Sequence, residues 1–179
     1  MPEIPVVEYG LYPEYWESGI TAAEVGNLAQ HSWMLGFSAG MTYAVDGSAA
    51  TMSNALLAFK TYWYYTGSTS VVSMATPPLG GTDAQYATIK AQLDLKRPWQ
   101  WAGGIHSFVL DGYRDDYWYH FNWGWGGMYD GWFHRSSLIP DGVGTGGGDG
   151  DYTAGQEAFY VIPNTDVYAA WPATTVTGS

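Results

Sequence analysis

The sequence that decides the fold is Gly103-Gly-Ile-His-Ser-Phe-Val-Leu-Asp-Gly-Tyr113, followed shortly by Tyr119-His-Phe-Asn-Trp-Gly-Trp-Gly-Gly127. Along both segments the residue pattern repeats with a period of two, which is typical of strands that bury one face. The link Arg114-Asp-Asp116 is short and polar, so we expect it to be a hairpin connection. The two segments therefore predict a pair of adjacent antiparallel strands.

The same period of two recurs in the segments between Trp99 and Ile162, whereas apolar residues before Trp99 follow helical spacing. Strands are predicted at Trp99–Ala102, Ser107–Tyr113, Tyr117–Trp123, Gly131–Arg135 and Ala158–Ile162. Helices are predicted at Thr21–Leu35, Thr51–Trp63 and Thr82–Leu95. Helices followed by an antiparallel sheet make the predicted fold class α+β. The glycine-rich stretch Gly142–Gly150 is predicted to be a surface loop.

Composition excludes several classes of protein. The 179 residues include 6 Lys and Arg against 17 Asp and Glu, for a net charge of −11, so a nucleic-acid binder is not expected. Aromatic residues make up 17% of the chain, which excludes a disordered protein. No apolar run reaches transmembrane length, so no membrane span is expected. The chain contains no cysteine, which excludes disulfides, thiolate metal sites and a cysteine nucleophile within it.

His106 is the first candidate for catalysis, because it follows two glycines at the start of a strand, where another segment or a substrate can approach. Imidazole titrates near neutral pH, as a general base requires. Pairing of the two central strands around residues 114–116 brings His106 near Asn122, whose side-chain oxygen can fix the ring orientation. Trp123 and Trp125 can shield that contact from water. The alternatives remain a hairpin-end histidine without a catalytic role and a Trp-Gly turn that only packs the core.

A metal site is not expected. His106, His120 and His134, together with Asp111 or Asp130, lack the spacing of a zinc site. No cofactor is therefore expected. His31, in the first predicted helix, is interpreted as a structural or surface residue.

The two quoted segments and Asp130-Gly-Trp-Phe133 resemble the C-terminal half of the streptopain and interpain family of papain-like cysteine peptidases, which are secreted bacterial enzymes. The resemblance extends over residues 22–162. It implies a papain-like fold, a thiol protease that acts on protein or peptide substrates, and an extracellular location.

The resemblance also implies roles for individual residues. His106 matches the catalytic base and acid, and Asn122 and Trp123 match the residues that orient and shield it. Ile105 is a departure, because it separates His106 from the two glycines that directly precede the histidine in the family. The residues expected to border the substrate cleft are Gly104, Ile105, Trp125, Gly144, Thr145, Gly146 and Gly147.

The nucleophilic cysteine and the glutamine of the oxyanion hole precede the matched region in that family. We therefore expect residues 1–20 to be an irregular lead-in, 21–162 a partial catalytic domain and 163–179 a tail or linker. Within the domain, 21–95 is the helical part and 98–162 the sheet part. Such a chain is expected to be inactive alone and to need an N-terminal lobe or propeptide that carries the cysteine. The less favoured alternative is that Ser48, ahead of the second predicted helix, replaces the nucleophile.

Two other classes of function are also compatible with the sequence. An aromatic-rich domain can bind carbohydrate or protein through exposed indole rings. A catalytically dead relative of the peptidases can regulate a live one. The indoles considered for a sugar platform are Trp16, Trp99, Trp101, Trp118 and Trp132.

Overall fold

The computed structural model describes residues 22–45, 47–75, 80–114, 117–144 and 147–164. Within these ranges three helices precede most of the strands. The elements are α1 (Ala22–Ser38), α2 (Met52–Tyr62), β1 (Thr66–Gly67), β2 (Val72–Ser73), α3 (Asp83–Asp94), β3 (Trp99–Gly103), β4 (His106–Arg114), β5 (Trp118–Asn122), β6 (Gly131–His134) and β7 (Glu157–Ile162). The α+β fold class is confirmed, and each predicted helix and strand is present with its ends displaced by at most a few residues. The short strands β1 and β2 were not predicted.

The strands form an antiparallel sheet in the spatial order β1-β7-β3-β4-β5-β6, and β2 also pairs with β7. The last strand in the described residues, β7, therefore lies next to β3, inside the sheet, rather than beside β6. This arrangement brings the segment before β7 close to the β3–β4 turn, where His106 is located.

The central hairpin contains a β-bulge. Val109 pairs with Asn122 and Leu110 with Phe121, and the register shifts by one residue between Leu110 and Gly112. The extra residue is Asp111. Such an extra residue bends the strand and changes the direction in which neighbouring side chains point.

The core is strongly aromatic. Phe108, Tyr119, Phe121 and Trp123 are 0–2% exposed and lie on one face of the sheet. Helix α3 packs on this face through its buried residues Tyr86, Ile89 and Leu93. Helix α2 packs through Met52 and Leu56 against Phe159 of β7 in a second, smaller cluster. Many of the aromatic residues of the chain are therefore buried in its core.

This burial changes the interpretation of the candidate sugar platform. Trp99 and Trp101 are 3% and 0% exposed, so their proposed role in a surface platform is wrong. Trp16 lies outside the described residues. Trp118 and Trp132 lie on the outer face of the sheet, where the guanidinium carbon of Arg114 is 4.7 Å and 5.1 Å from their ring centroids.

Within the described ranges, no helix has both the length and the apolar character needed to cross a lipid bilayer.

Candidate active site

His106 is the first residue of β4 and pairs with Gly103 of β3 across a tight turn. Gly104 in this turn has φ +55°, a left-handed conformation that favours glycine. A Cβ on Gly104 would lie 2.9 Å from the carbonyl oxygen of Asp151, so the backbone before β7 approaches the turn closely. The two glycines thus allow a distant segment to pack directly beside the histidine.

The His106 ring is half-buried and is held by stacking and by one hydrogen bond. It stacks on Trp125 with a centroid distance of 4.9 Å and an interplanar angle of 18°. Its Nε2 lies 2.8 Å from the carbonyl oxygen of Trp123. A carbonyl oxygen only accepts hydrogen bonds, so Nε2 carries the proton. The neutral ring therefore has its lone pair on Nδ1, the nitrogen that can act as a base.

The sequence predicts that the side chain of Asn122 holds the His106 ring, but the structure gives this side chain another partner. Its Oδ1 accepts a hydrogen bond from the backbone N–H of Gly124 at 2.9 Å. That N–H belongs to the same peptide unit as the Trp123 carbonyl that accepts from His106. Asn122 thus orients the acceptor of the histidine rather than the histidine itself.

Trp123 is fully buried and is fixed at two further points. Its backbone N–H donates to Oδ1 of Asp130 at 2.9 Å, and its indole N–H donates to the carbonyl of Tyr129 at 2.9 Å. Burial raises the pKa of Asp130, whereas the hydrogen bond from Trp123 and nearby His120 oppose that rise. From the sequence, Asp130 was considered as a metal ligand and as part of the family motif, but not as a partner of Trp123. The signal for this contact is its place directly before β6.

The glycine-rich loop after β6 packs beside the histidine. A Cβ on Gly147 would lie 2.7 Å from the Trp125 ring, and a Cβ on Gly148 would lie 2.6 Å from Cδ1 of Ile105. Gly144 also packs directly against the Trp125 ring. Ile105 itself is 79% exposed. The structure therefore brings these residues of the predicted cleft border together next to His106.

Two residues of the predicted cleft border, Thr145 and Gly146, lie outside the described residues.

The other histidines of the sheet are engaged elsewhere. Nδ1 of His120 lies 2.6 Å from Oδ1 of Asp111, and Nδ1 of His134 lies 2.7 Å from the hydroxyl of Ser136. The hydrogen bond to Asp111 raises the pKa of His120, and partial burial opposes this effect. In the part of the chain that the structure describes, no three His, Asp or Glu side chains are grouped as a metal site would require.

Ser48 is exposed and lies in the segment before α2. The residue that caps α2 is Thr51, whose hydroxyl accepts from the backbone N–H of Asn54, so Ser48 does not occupy the helix N-terminus. Across the described ranges no hydrogen bond joins Ser48 to His106, whose ring bonds to Trp123.

Residues 7–133 match the Peptidase C10 family. This chain belongs to the Peptidase C10 family. It is 36% identical over 143 residues to the thiol protease/hemagglutinin PrtT of Porphyromonas gingivalis. The aligned region covers 78% of this chain and 16% of PrtT. It is also 34% identical over 128 residues to streptopain of Streptococcus pyogenes. That alignment covers 69% of this chain and 31% of streptopain. This C10 chain therefore spans less than a third of each of these relatives.

Solved C10 structures agree with this assignment. The active wild-type interpain A cysteine protease of Prevotella intermedia superposes with a TM-score of 0.64 at 26% identity, covering 80% of this chain and 59% of interpain A. A prointerpain A fragment gives a TM-score of 0.56 at 26% identity, covering 79% of this chain and 44% of the fragment. The fold of this C10 chain is thus the papain-like α+β fold, and its relatives are cysteine proteases.

Proposed function

We propose that this chain supplies the histidine side of a cysteine endopeptidase active site, with His106 as general base and acid. The observation that carries the proposal is the hydrogen bond from Nε2 of His106 to the Trp123 carbonyl. This bond selects the tautomer with its lone pair on Nδ1, which leaves that nitrogen to take a proton from a nucleophile. The nucleophile is a cysteine thiol outside this chain, because the chain contains no cysteine.

In the proposed reaction, Nδ1 of His106 accepts the thiol proton, and the resulting thiolate attacks the carbonyl carbon of a peptide bond. The carbon–nitrogen bond then breaks, and the imidazolium gives its proton to the leaving amine. Water, deprotonated by the same nitrogen, cleaves the thioester and releases the carboxylic acid with the thiol restored. Neither a metal nor a cofactor takes part in these steps.

Asn122 and Trp123 are positioning residues in this proposal. Trp123 provides the acceptor that holds the ring, and Asn122 holds the peptide unit containing that acceptor. Trp125 covers one face of the imidazole and limits its rotation. A ring fixed in this way needs little reorganisation when the nucleophile and substrate arrive.

The substrate is proposed to be an extracellular protein or peptide that lies along the border formed by Ile105, Trp125 and the loop containing Gly144 and Gly147. Ile105 offers an exposed apolar side chain directly beside the proposed base. Thr145 and Gly146 are proposed to belong to the same border by their place in that loop. The partner that completes the site is a lobe or propeptide segment that carries the cysteine.

The proposal is tested by joining this chain to the cysteine-bearing N-terminal part of a Peptidase C10 catalytic domain. The isolated chain is expected to hydrolyse no casein, and the completed enzyme is expected to hydrolyse it in a thiol-dependent manner. His106→Ala should lower this activity by about 10²–10⁴-fold, since a general base is lost. His134→Ala, which removes a histidine whose ring bonds to Ser136 rather than to Trp123, is the matched control and should keep the activity.

Three outcomes would contradict the proposal. A completed enzyme that stays active with His106→Ala has a different base. A completed enzyme that folds but never gains activity is a catalytically dead relative. Activity of the isolated chain that is lost with Ser48→Ala would instead identify a serine nucleophile.

A further inference from the structure

Trp123 is held on both sides of its α-carbon by side chains that belong to different segments. The peptide unit between Trp123 and Gly124 is held by Asn122, whose Oδ1 accepts from the Gly124 N–H at 2.9 Å. The peptide unit between Asn122 and Trp123 is held by Asp130, whose Oδ1 accepts from the Trp123 N–H at 2.9 Å. With both flanking peptide units fixed, the direction of the Trp123 carbonyl toward His106 is determined.

Asp130 reaches Trp123 from across a turn, because it directly precedes β6, the neighbour of β5 in the sheet. Tyr129, the residue before it, accepts a hydrogen bond from the Trp123 indole at 2.9 Å. The segment 129–130 therefore contacts both the backbone and the side chain of Trp123. A carboxylate that accepts from a backbone N–H forms a charge-assisted bond, which is stronger than a bond between neutral groups.

We propose that Asp130 is a positioning residue for His106, which it orients through the backbone of Trp123. This inference rests on the proposed function, because it concerns the orientation of the proposed base. The carboxylate oxygen acts as a hydrogen-bond acceptor: it holds the Trp123 N–H, the held backbone aims the Trp123 carbonyl, and the carbonyl keeps the proton of His106 on Nε2. Asp130 itself contacts neither the ring nor a substrate in this scheme.

The test measures the tautomer of His106 in this chain by the ¹⁵N chemical shifts of its two ring nitrogens, together with hydrogen exchange of the Trp123 amide. Asp130→Ala removes the acceptor and should convert the ring from the Nε2–H tautomer to a mixture. The Trp123 amide should exchange about tenfold faster or more, since its hydrogen bond is lost. Asp130→Asn keeps a neutral acceptor oxygen in the same place, so it should retain the wild-type tautomer of His106. Its Trp123 amide should exchange somewhat faster than in the wild type, because the bond is no longer charge-assisted, but more slowly than in Asp130→Ala.

Asp111→Ala is the matched control, because it removes another carboxylate of the same sheet that bonds to His120 and not to Trp123. It should leave the His106 tautomer and the Trp123 exchange rate unchanged. If Asp130→Ala does not fold, Asp130→Glu replaces it, since it keeps the charge but displaces the acceptor by one methylene group. The Glu variant should show the same changes in a weaker form.

The proposal is overturned if the folded Ala or Glu variant keeps both wild-type values. It is also overturned if Asp130→Asn behaves like Asp130→Ala, or if Asp111→Ala changes the His106 tautomer as much as Asp130→Ala does. These measurements need no catalytic activity, so they are independent of whether the completed enzyme hydrolyses casein. A failure of the proposed function is therefore distinguishable from a failure of this inference.

Discussion

At the residue scale, two histidines of the same sheet differ in the partner that each ring contacts. His106 donates from Nε2 to a neutral main-chain carbonyl, whereas His120 is bonded through Nδ1 to the carboxylate of Asp111. A carboxylate favours the charged imidazolium, and the pKa of His120 is raised accordingly. The neutral carbonyl instead selects one tautomer of His106 without adding a charge beside it. This difference indicates a structural ion pair at His120 and supports the proposed role of His106 as the base.

The raised pKa of His120 predicts how stability changes with pH. The folded-state pKa of His120 exceeds its unfolded value of about 6.5. The His120–Asp111 pair therefore makes its full contribution to stability at pH values below 6.5. This contribution is lost as the pH rises through the folded-state pKa. Because both side chains are partly exposed, with relative exposures of 31% and 40%, the expected contribution is about 0.2–1 kcal/mol.

Urea unfolding on either side of the histidine titration measures this effect. Asp111→Asn should remove the part of the pH-dependent difference in the free energy of unfolding that the His120–Asp111 pair contributes, whereas Asp141→Asn, which changes an exposed carboxylate, should preserve it. An Asp111→Asn protein whose stability varies with pH as the wild type does would contradict the assignment.

At the scale of elements, helix α3 begins with a reciprocal capping box between Thr82 and Gln85. The hydroxyl of Thr82 accepts from the Gln85 N–H at 3.3 Å, and the Gln85 side chain accepts from the Thr82 N–H at 2.6 Å. The start of this helix was predicted from Thr82 and the glycines before it, and the structure adds the reciprocal capping box with Gln85. The helix carries Tyr86, which packs on the aromatic face of the sheet, and its start therefore supports the core.

Thr82→Ala should destabilise the protein by about 1 kcal/mol, because it removes the N-cap of α3. Thr88→Ala is the matched control in the same helix, since its hydroxyl only bonds back to the Ala84 carbonyl. Alanine has the higher helix propensity, so this control should change stability by no more than a few tenths of a kcal/mol. Equal losses in the two variants, measured by urea unfolding, would show that the cap is not important.

The strands differ in how far the sequence could predict them. β4 and β5 are long enough to show a period of two, and they are joined by a short link, so both were predicted. β1 and β2 have two residues each, too few to show any period. The position of β7 beside β3 was also not predicted, because it depends on contacts between segments more than fifty residues apart in the chain.

At the scale of the whole molecule, helix α1 carries an exposed apolar surface. Trp33 and Phe37 are 56% and 69% exposed and stack on each other with a centroid distance of 5.3 Å. Leu57 of α2 is 62% exposed. Exposed apolar patches are typical of interaction surfaces. An association of the isolated chain through α1 is therefore expected.

Light scattering over a range of protein concentrations tests this prediction. The double substitution Trp33→Gln and Phe37→Gln should shift the wild-type chain from associated species toward the monomer. Met128→Gln, which changes an exposed apolar residue in the turn after β5, should not alter the association. A wild-type chain that stays monomeric at high concentration would rule out the predicted association.

The sequence by itself determined the α+β class, the main helices and strands, and the pairing of the segments that contain His106 and Asn122. These features depend on periodicity, caps and short connections, which are local in the chain. The tertiary structure decided which atom holds the histidine, because the partner depends on the strand register and on the turn after Asn122. It also decided the contact between Asp130 and Trp123, the burial of Trp99 and Trp101, and the packing of the glycine-rich loop on Trp125. Each of these results from contacts between distant segments, which a local residue pattern does not specify.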